Sequence, residues 1–227
     1  MVSSGAFATG RVSAFFKDAR GVYQSEALAE FTWLDHGFST RHSAAWLAGS
    51  EVAQLKQIHS DVVVRAESAG VHGEGDALLT NQGGVHVAIR TADCLPVLLV
   101  DPKQRAVAAI HSGWRGTVAG IAAKAVSRMA AEFGSRPADL HAAIGPGIGA
   151  CCYEVGPEVS AQFGKQGRVH LDLSRELAGQ LEGAGLSTGC IHLGSFCTFC
   201  HADEFWSYRR EKEAAGRMWS AAAILAK

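Results

Sequence analysis

The sequence predicts a single domain of the α/β class, α+β in detail, whose sheet is at least partly antiparallel. Three observations carry that expectation. Short β-branched or apolar runs of strand length alternate with segments of helical periodicity along the chain. Two such runs, Leu95–Val100 and Ala106–Ile110, flank the turn Asp101-Pro-Lys-Gln, which predicts a hairpin. No internal repeat or low-complexity linker divides the 227 residues, a length that suits one large domain.

In chain order, residues 1–30 are weakly patterned and are expected to form a loosely ordered leader or edge segment, ahead of a main domain over residues 31–227. Phe31–Ser39 predicts a first strand, and the β-branched run Asp61–Arg65 another. Val85–Arg90 and the two hairpin strands follow. Val118–Phe133 is rich in helix formers, with apolar residues at three-to-four spacing. It predicts a helix capped by Thr117 and ended by Gly134. Leu140–Ile144 predicts a strand running into the loop Gly145-Pro-Gly-Ile-Gly149. Ser174–Glu182 predicts a helix and Ile191–Leu193 a short strand. Trp206–Arg210 and Arg217–Leu225 predict strands around a Lys-Glu-Ala-Ala-Gly turn.

Composition narrows the function classes. The chain is 48% hydrophobic and 19% charged, as expected of a globular protein with a sizeable core. A net charge of −1 provides no long-range field to recruit nucleic acid or an anionic membrane, and leaves room for a local basic pocket. No apolar run approaches the ~18 residues that span a bilayer. The first residues lack a charged start followed by an apolar stretch, so a cytoplasmic protein is expected. Cys94, Cys151, Cys152, Cys190, Cys197 and Cys200 are then expected as reduced thiols, available for metal, catalysis or burial.

Three segments place a metal-capable side chain at or near a strand end: Lys56-Gln-Ile-His59, Thr91-Ala-Asp-Cys94 and Ala109-Ile-His111. Zinc accepts imidazole nitrogen and thiolate sulfur, and a catalytic zinc keeps its fourth position open for water or substrate. Only folding can join ligands so far apart, and a buried cysteine with two hydrogen-bonded histidines is the plainer alternative. His111-Ser-Gly-Trp-Arg-Gly-Thr117 reads as a strand-to-helix turn. Its backbone N–H groups and Arg115 can hold an anion. Asp76 and Asp93 can orient a ligand or act as a base, or simply cap turns.

Arg209 and Arg210, on a strand, are expected to point to opposite faces, one of them binding phosphate or substrate. Arg41 is a further anion-binding candidate, and Tyr153 can stack on a base. Cys197-Thr-Phe-Cys200 has the C-x2-C spacing of zinc sites, with Cys190 and His201 as candidate companions. The adjacent Cys151 and Cys152 are expected to be buried near the glycine loop rather than to chelate one ion together.

Taken together, several motifs resemble the YfiH/YlmD family, also called the laccase-domain or polyphenol oxidase family. They are Lys56-Gln-Ile-His59, Gly75-Asp76-Ala77-Leu78, Thr91-Ala-Asp-Cys94-Leu-Pro-Val97, Ala109-Ile-His111-Ser-Gly-Trp-Arg-Gly-Thr117, Ala143-Ile-Gly-Pro-Gly-Ile148, Cys152-Tyr-Glu-Val155 and Phe205-Trp-Ser-Tyr-Arg-Arg210. The resemblance covers Phe31 to the C-terminus. It implies one layered α/β/β/α sandwich with mixed sheets, and zinc ligands on His59, Cys94 and His111. It implies a purine nucleoside phosphorylase that splits adenosine, inosine, guanosine or methylthioadenosine with phosphate, and that also acts as an adenosine deaminase. The partners implied are therefore a purine nucleoside and phosphate.

The family's older label is a copper-dependent laccase, and some relatives are linked to peptidoglycan precursor quality. Copper remains a second candidate, because it binds N/S sites tightly. Zinc is favoured because the ten histidines lack the dense pairs of a multicopper oxidase. A non-catalytic metal-binding protein is the remaining alternative. One departure stands out. Members usually carry a longer stretch with Asn-Leu-Gly and an Asn-Arg pair after Gly-Phe-Ser-Thr-Arg. Here Gly37-Phe-Ser-Thr-Arg41 is followed by a short His42-Ser-Ala-Ala-Trp-Leu-Ala-Gly segment, which predicts a trimmed or rebuilt edge of the site.

Overall fold

Strand Leu95–Asp101 is buried along its whole length, and its two faces fill two different cores. A strand presents alternate residues to opposite sides. Leu98 and Val100 join Val107, Ala109, Leu78, Val87, Ile89 and Ala222 in one core. Val97 and Leu99 join Ala108, Ile110, Ile144, Met129 and Leu177 in the other. Each fully buried Val, Leu, Ile or Met side chain among these contributes about 1.5–3 kcal/mol relative to exposure. This arrangement comes from a computed structural model, which describes residues 11, 12 and 14–226.

Two seven-stranded mixed sheets lie face to face around the first of these cores. In one sheet the order is Arg11–Val12, Ile191–Leu193, His141–Ile144, Leu95–Asp101, Ala106–Ser112, Ala77–Thr80 and Val63–Arg65. In the other it is Phe15–Lys17, Tyr23–Ser25, Leu34–Phe38, Met218–Ile224, Val85–Thr91, Glu51–Lys56 and Gly70–Glu74. Helices Ile121–Phe133 and Leu173–Gly183 cover the outer face of the first sheet. The outer face of the second is covered by the short turn Ala44–Leu47, where Trp46 and Leu47 pack with Ala88, Ala221 and Trp219. The mixed α/β class read from the sequence is the class observed.

The expected hairpin is present. Leu95 pairs with Ser112 at one end and Asp101 with Ala106 at the other, antiparallel throughout. Asp101 makes the turn by accepting the N–H groups of Lys103 at 2.8 Å and Gln104 at 3.0 Å. The strands expected at 85–90, 140–144, 191–193 and 217–225 and the helix at 174–182 are also found, with ends moved by a few residues.

Other elements differ. The first expected strand is shorter, Leu34–Phe38. The helix expected to begin after Thr117 is two helices, Trp114–Val118 and Ile121–Phe133, broken where Gly120 takes φ 76°. Thr117 is inside the first of them, bonded to Gly113 O and Ser112 Oγ rather than capping. Trp206–Arg210 is not a strand. Ser207 caps a short helix, Tyr208–Glu211, by accepting the Arg210 N–H. Residues 15–29 add two strands and one helical turn to the second sheet, with Val22 and Leu28 fully buried. The expected leader's residues 1–10 lie outside the described residues.

Two features of the topology position the metal-capable side chains. The chain passes from strand Val85–Thr91 of one sheet to Leu95–Asp101 of the other through Ala92-Asp-Cys94. His59 follows strand Glu51–Lys56 of the second sheet, and His111 lies near the end of strand Ala106–Ser112 of the first. Among the described residues no helix is long and apolar enough to cross a membrane. All six cysteines are free thiols.

Candidate metal centre

His59, Cys94 and His111 come together at the seam between the sheets, their ligand atoms within 4.8 Å of one another. The two imidazole rings meet edge to face, 4.9 Å between centroids. The carboxylate that organises them is Asp76, which has no exposed surface. Its Oδ1 accepts from His111 Nδ1 at 2.8 Å, which leaves Nε2 of that ring for a metal.

The same carboxylate gathers the loop carrying His59. It accepts N–H groups from Ile58 (3.3 Å), His59 (3.1 Å) and Ser60 (2.5 Å), and the Ser60 hydroxyl at 2.7 Å. His59 makes this convergence possible by adopting φ 59°. A left-handed turn directs successive N–H groups to one anion, and the strain of about 1–3 kcal/mol is offset by those bonds. Gln57 ties the loop to the neighbouring strand: its amide exchanges two 2.8 Å bonds with the Arg90 backbone, as a strand residue would.

Cys94 is fixed through its neighbour. Asp93, at φ 84°, accepts the Thr198 hydroxyl and the Arg209 N–H, each at 2.6 Å. Gly113 lies directly behind the sulfur. A Cβ there would come within 2.9 Å of Cys94 Sγ and 3.5 Å of His59 Cδ2.

Charge accompanies geometry. Burial pushes the Cys94 thiol up, yet the His111 and His59 imidazoles bring it down to about 6. Burial disfavours a charged His111, yet the bonds to Asp76 and Cys94 raise it to about 9. Asp76, which burial alone would raise, is held near 2 by His111 and Ser60. Two imidazoles and a thiolate suit zinc, and divalent copper also accepts them.

The triad opens into a cleft of about 1000 Å³. Lys56, Arg90, Arg209, Lys212 and Arg217 line it, against a single carboxylate, Asp93, already engaged as described. The Arg209 guanidinium lies over the Tyr153 ring, 5.5 Å from its centroid, and donates to Glu154 O. Burial, and then the Cys94 charge, push the Tyr153 phenol up to about 12, so it is protonated at neutral pH.

The other sequence candidates fall elsewhere. Arg210 turns away from the cleft and donates to Thr198 O, Phe199 O and Phe205 O. Arg41 stacks on Trp206 at 3.8 Å, donates to Ala202 O and pairs with Glu211. Arg115 is exposed beside the Trp114 ring. Neither Arg41 nor Arg115 lines the cleft. Sequence reasoning did not single out Lys56, Arg90, Lys212 or Arg217. Of these Lys56 and Arg90 carried a signal, each as a polar position of an alternating strand.

Comparison with known proteins places these features in a wider set. The family described as multi-copper polyphenol oxidoreductase laccase matches residues 38–225. A protein of Deinococcus radiodurans named purine nucleoside phosphorylase is 43% identical over 188 residues, spanning 78% of this chain and 72% of its own. A prokaryotic protein of unknown organism, named adenosine deaminase RL5, is 35% identical over 159 residues, 64% of this chain and 60% of its own. The crystal structure of YlmD from Geobacillus stearothermophilus superposes with a TM-score of 0.86 at 27% identity, covering 94% of this chain and 100% of that one.

Proposed function

The chain belongs to the multi-copper polyphenol oxidoreductase laccase family, and from that membership we propose that it is a zinc-dependent cytoplasmic enzyme that splits purine nucleosides with phosphate and deaminates adenosine. The names of its relatives support an enzyme of this kind. One observation carries the reading: a three-ligand His/Cys/His site opens into a cleft lined by five cationic side chains. Three protein ligands leave a position for a reacting group, as in catalytic rather than structural zinc sites. Lys56 is paired with Glu74 at 2.8 Å; the other four cations suit a phosphate dianion, which a neutral phenol would not require.

When bound at this triad, zinc supplies a Lewis acid that polarises an oxygen placed beside it. The chain's own residues do the rest. Asp76 keeps a proton on His111 Nδ1 and so fixes the Nε2 lone pair toward the ligand position. Arg209 offers a planar guanidinium at the cleft wall, able to take two phosphate oxygens at once. The Tyr153 ring, with Ile148, gives a flat apolar wall for a purine. The cleft volume admits a nucleoside together with phosphate.

A copper-dependent polyphenol oxidase is the second reading, favoured by the family's description. Against it, only one of the two ligand clusters among the described residues contains histidine. The deciding experiment incubates zinc-loaded, copper-free protein with adenosine and inosine, with and without phosphate, beside Cys94→Ala, and separates the products by chromatography. Free base that requires phosphate and intact Cys94 is the expected result, with inosine formed from adenosine alone. Phosphate-independent or Cys94-independent base release overturns the proposal, as does phenol oxidation by the copper-free protein.

A further inference from the structure

We propose that Cys151, Cys152, Cys197 and Cys200 form a second, structural zinc site of four thiolates, separate from the His59–Cys94–His111 centre. The four sulfurs lie within 4.8 Å of one another. Cys152 Sγ is 3.4 Å and Cys151 Sγ 3.6 Å from Cys200 Sγ. Four sulfurs at the zinc–sulfur distance of about 2.3 Å stand at tetrahedron corners roughly 3.8 Å apart, so only small adjustments are needed. The set differs from the companions suggested by spacing alone: neither Cys190 nor His201 belongs to the group.

The adjacent pair can serve because of local backbone. Cys152 and Tyr153 N–H groups both bond Gly149 O at 3.0 Å, making a helical turn. Successive side chains on such a turn diverge by about 100° rather than pointing to opposite faces as on a strand. Both thiols thereby reach the same side. Cys197-Thr-Phe-Cys200 supplies the other half. The N–H of Gly149 points at Cys197 Sγ from 3.3 Å, and those of Phe199 and Cys200 are directed at the same sulfur.

Four thiolates around a divalent ion carry excess negative charge, which such N–H donors offset. Arg210 adds a positive charge behind the knuckle, its guanidinium on the carbonyls of Thr198 and Phe199 at 2.8 Å each. Gly149 is the residue that admits this packing. A Cβ there would press on Cys197 Cβ at 3.2 Å and Cys151 Sγ at 3.3 Å.

Residues 194–207 contain no helix and no strand. Backbone bonds lay this segment along the loop after strand His141–Ile144, from Gly194 N–H to Ile144 O at 2.9 Å and from Thr198 N–H to Gly147 O at 3.0 Å. A metal clasp would reinforce that seam. It would also hold Thr198, whose hydroxyl orients Asp93 beside Cys94. Zinc at the second site thus supports the first through Thr198 and Asp93, without touching substrate.

The test is metal content per chain on protein purified with reductant after zinc supplementation. Wild type is expected to hold two zinc ions, Cys94→Ser one, and Cys200→Ser one. The Cys94→Ser value is independent of any activity, so it stands whether or not the nucleoside reading survives. Because Cys200→Ser can misfold, a second measurement uses wild type alone. Iodoacetamide labelling mapped by peptide is expected to spare Cys151 and Cys200, both exposed, until a chelator is added. Folded Cys94→Ser protein without zinc, immediate labelling of both thiols, or a disulfide within the quartet overturns the proposal.

Discussion

Oδ1 of Asp76 lies 2.8 Å from Nδ1 of His111, and the same buried carboxylate collects three backbone N–H groups from residues 58–60. Asp76→Asn retains the shape and removes the charge. It is expected to weaken zinc binding about 10–100-fold in competition with a chromophoric chelator. Asp76→Ala also strands those donors, costing about 3 kcal/mol or more in urea unfolding.

Gly113→Ala is expected to remove metal and activity while leaving the fold intact. Its backbone, φ −82° and ψ −179°, accepts alanine, so the new methyl acts only by its 2.9 Å approach to Cys94 Sγ. Zinc content below a tenth of wild type with a thermal midpoint moved by only a few degrees is the expected pair of results. Normal zinc content would show that the site yields without cost.

Arg209 and Arg210 are neighbours with different duties. Arg209→Ala, which empties the cleft wall, is expected to raise KM for phosphate at least 10-fold with little change in stability. Arg210→Ala removes donors from three carbonyls and is expected to lower the thermal midpoint by several degrees. Initial rates against phosphate, beside melting curves, separate the two.

Acid should unfold the protein partly through His36. Burial pushes this imidazole down to about 4, against 6.5 for the free side chain, and its Nε2 accepts the Ser25 N–H at 3.1 Å. The unfolded chain therefore binds the proton more readily. Stability is complete above 6.5, falls as pH drops toward 4, and levels off below, for a total of about 3 kcal/mol. Asp35 acts lower. Burial raises it, but His86 and Arg20 hold it near 2, so its contribution is present above 3.8 and is lost as pH falls through about 2. His36→Gln, which can still accept from Ser25, is expected to flatten the urea-midpoint curve between pH 6.5 and 4. An unchanged slope there would remove His36 from the account.

The sequence disclosed elements whose signal is local. The hairpin of Leu95–Asp101 and Ala106–Ser112 was legible because apolar runs and turn chemistry agree. The triad was legible as three metal-capable residues near strand ends, although nothing local indicated that one carboxylate would bind both histidine segments. Tyr208–Glu211 was misread because four residues carry too little periodicity. Its available signal was Ser207 followed by Glu211, which returns a bond to the Ser207 N–H at 3.0 Å. The cationic cleft was not legible as a whole, since Lys56, Arg90 and the stretch holding Arg209, Lys212 and Arg217 are far apart in the chain and meet only on folding. The cysteine quartet was hidden likewise: pairs 45 or more positions apart meet only through the turn at Gly149.

The passage of the chain from one sheet to the other at Ala92-Asp-Cys94 makes the bite of the three ligands a gauge of the distance between the sheets. Leu98 and Ile89, which do not line the cleft, are among the side chains packed in the core between the two sheets. Trimming either of them is expected to shift the spacing of His59, Cys94 and His111 from the far side of the core, so the proposed metal chemistry would depend on positions whose only visible office is packing.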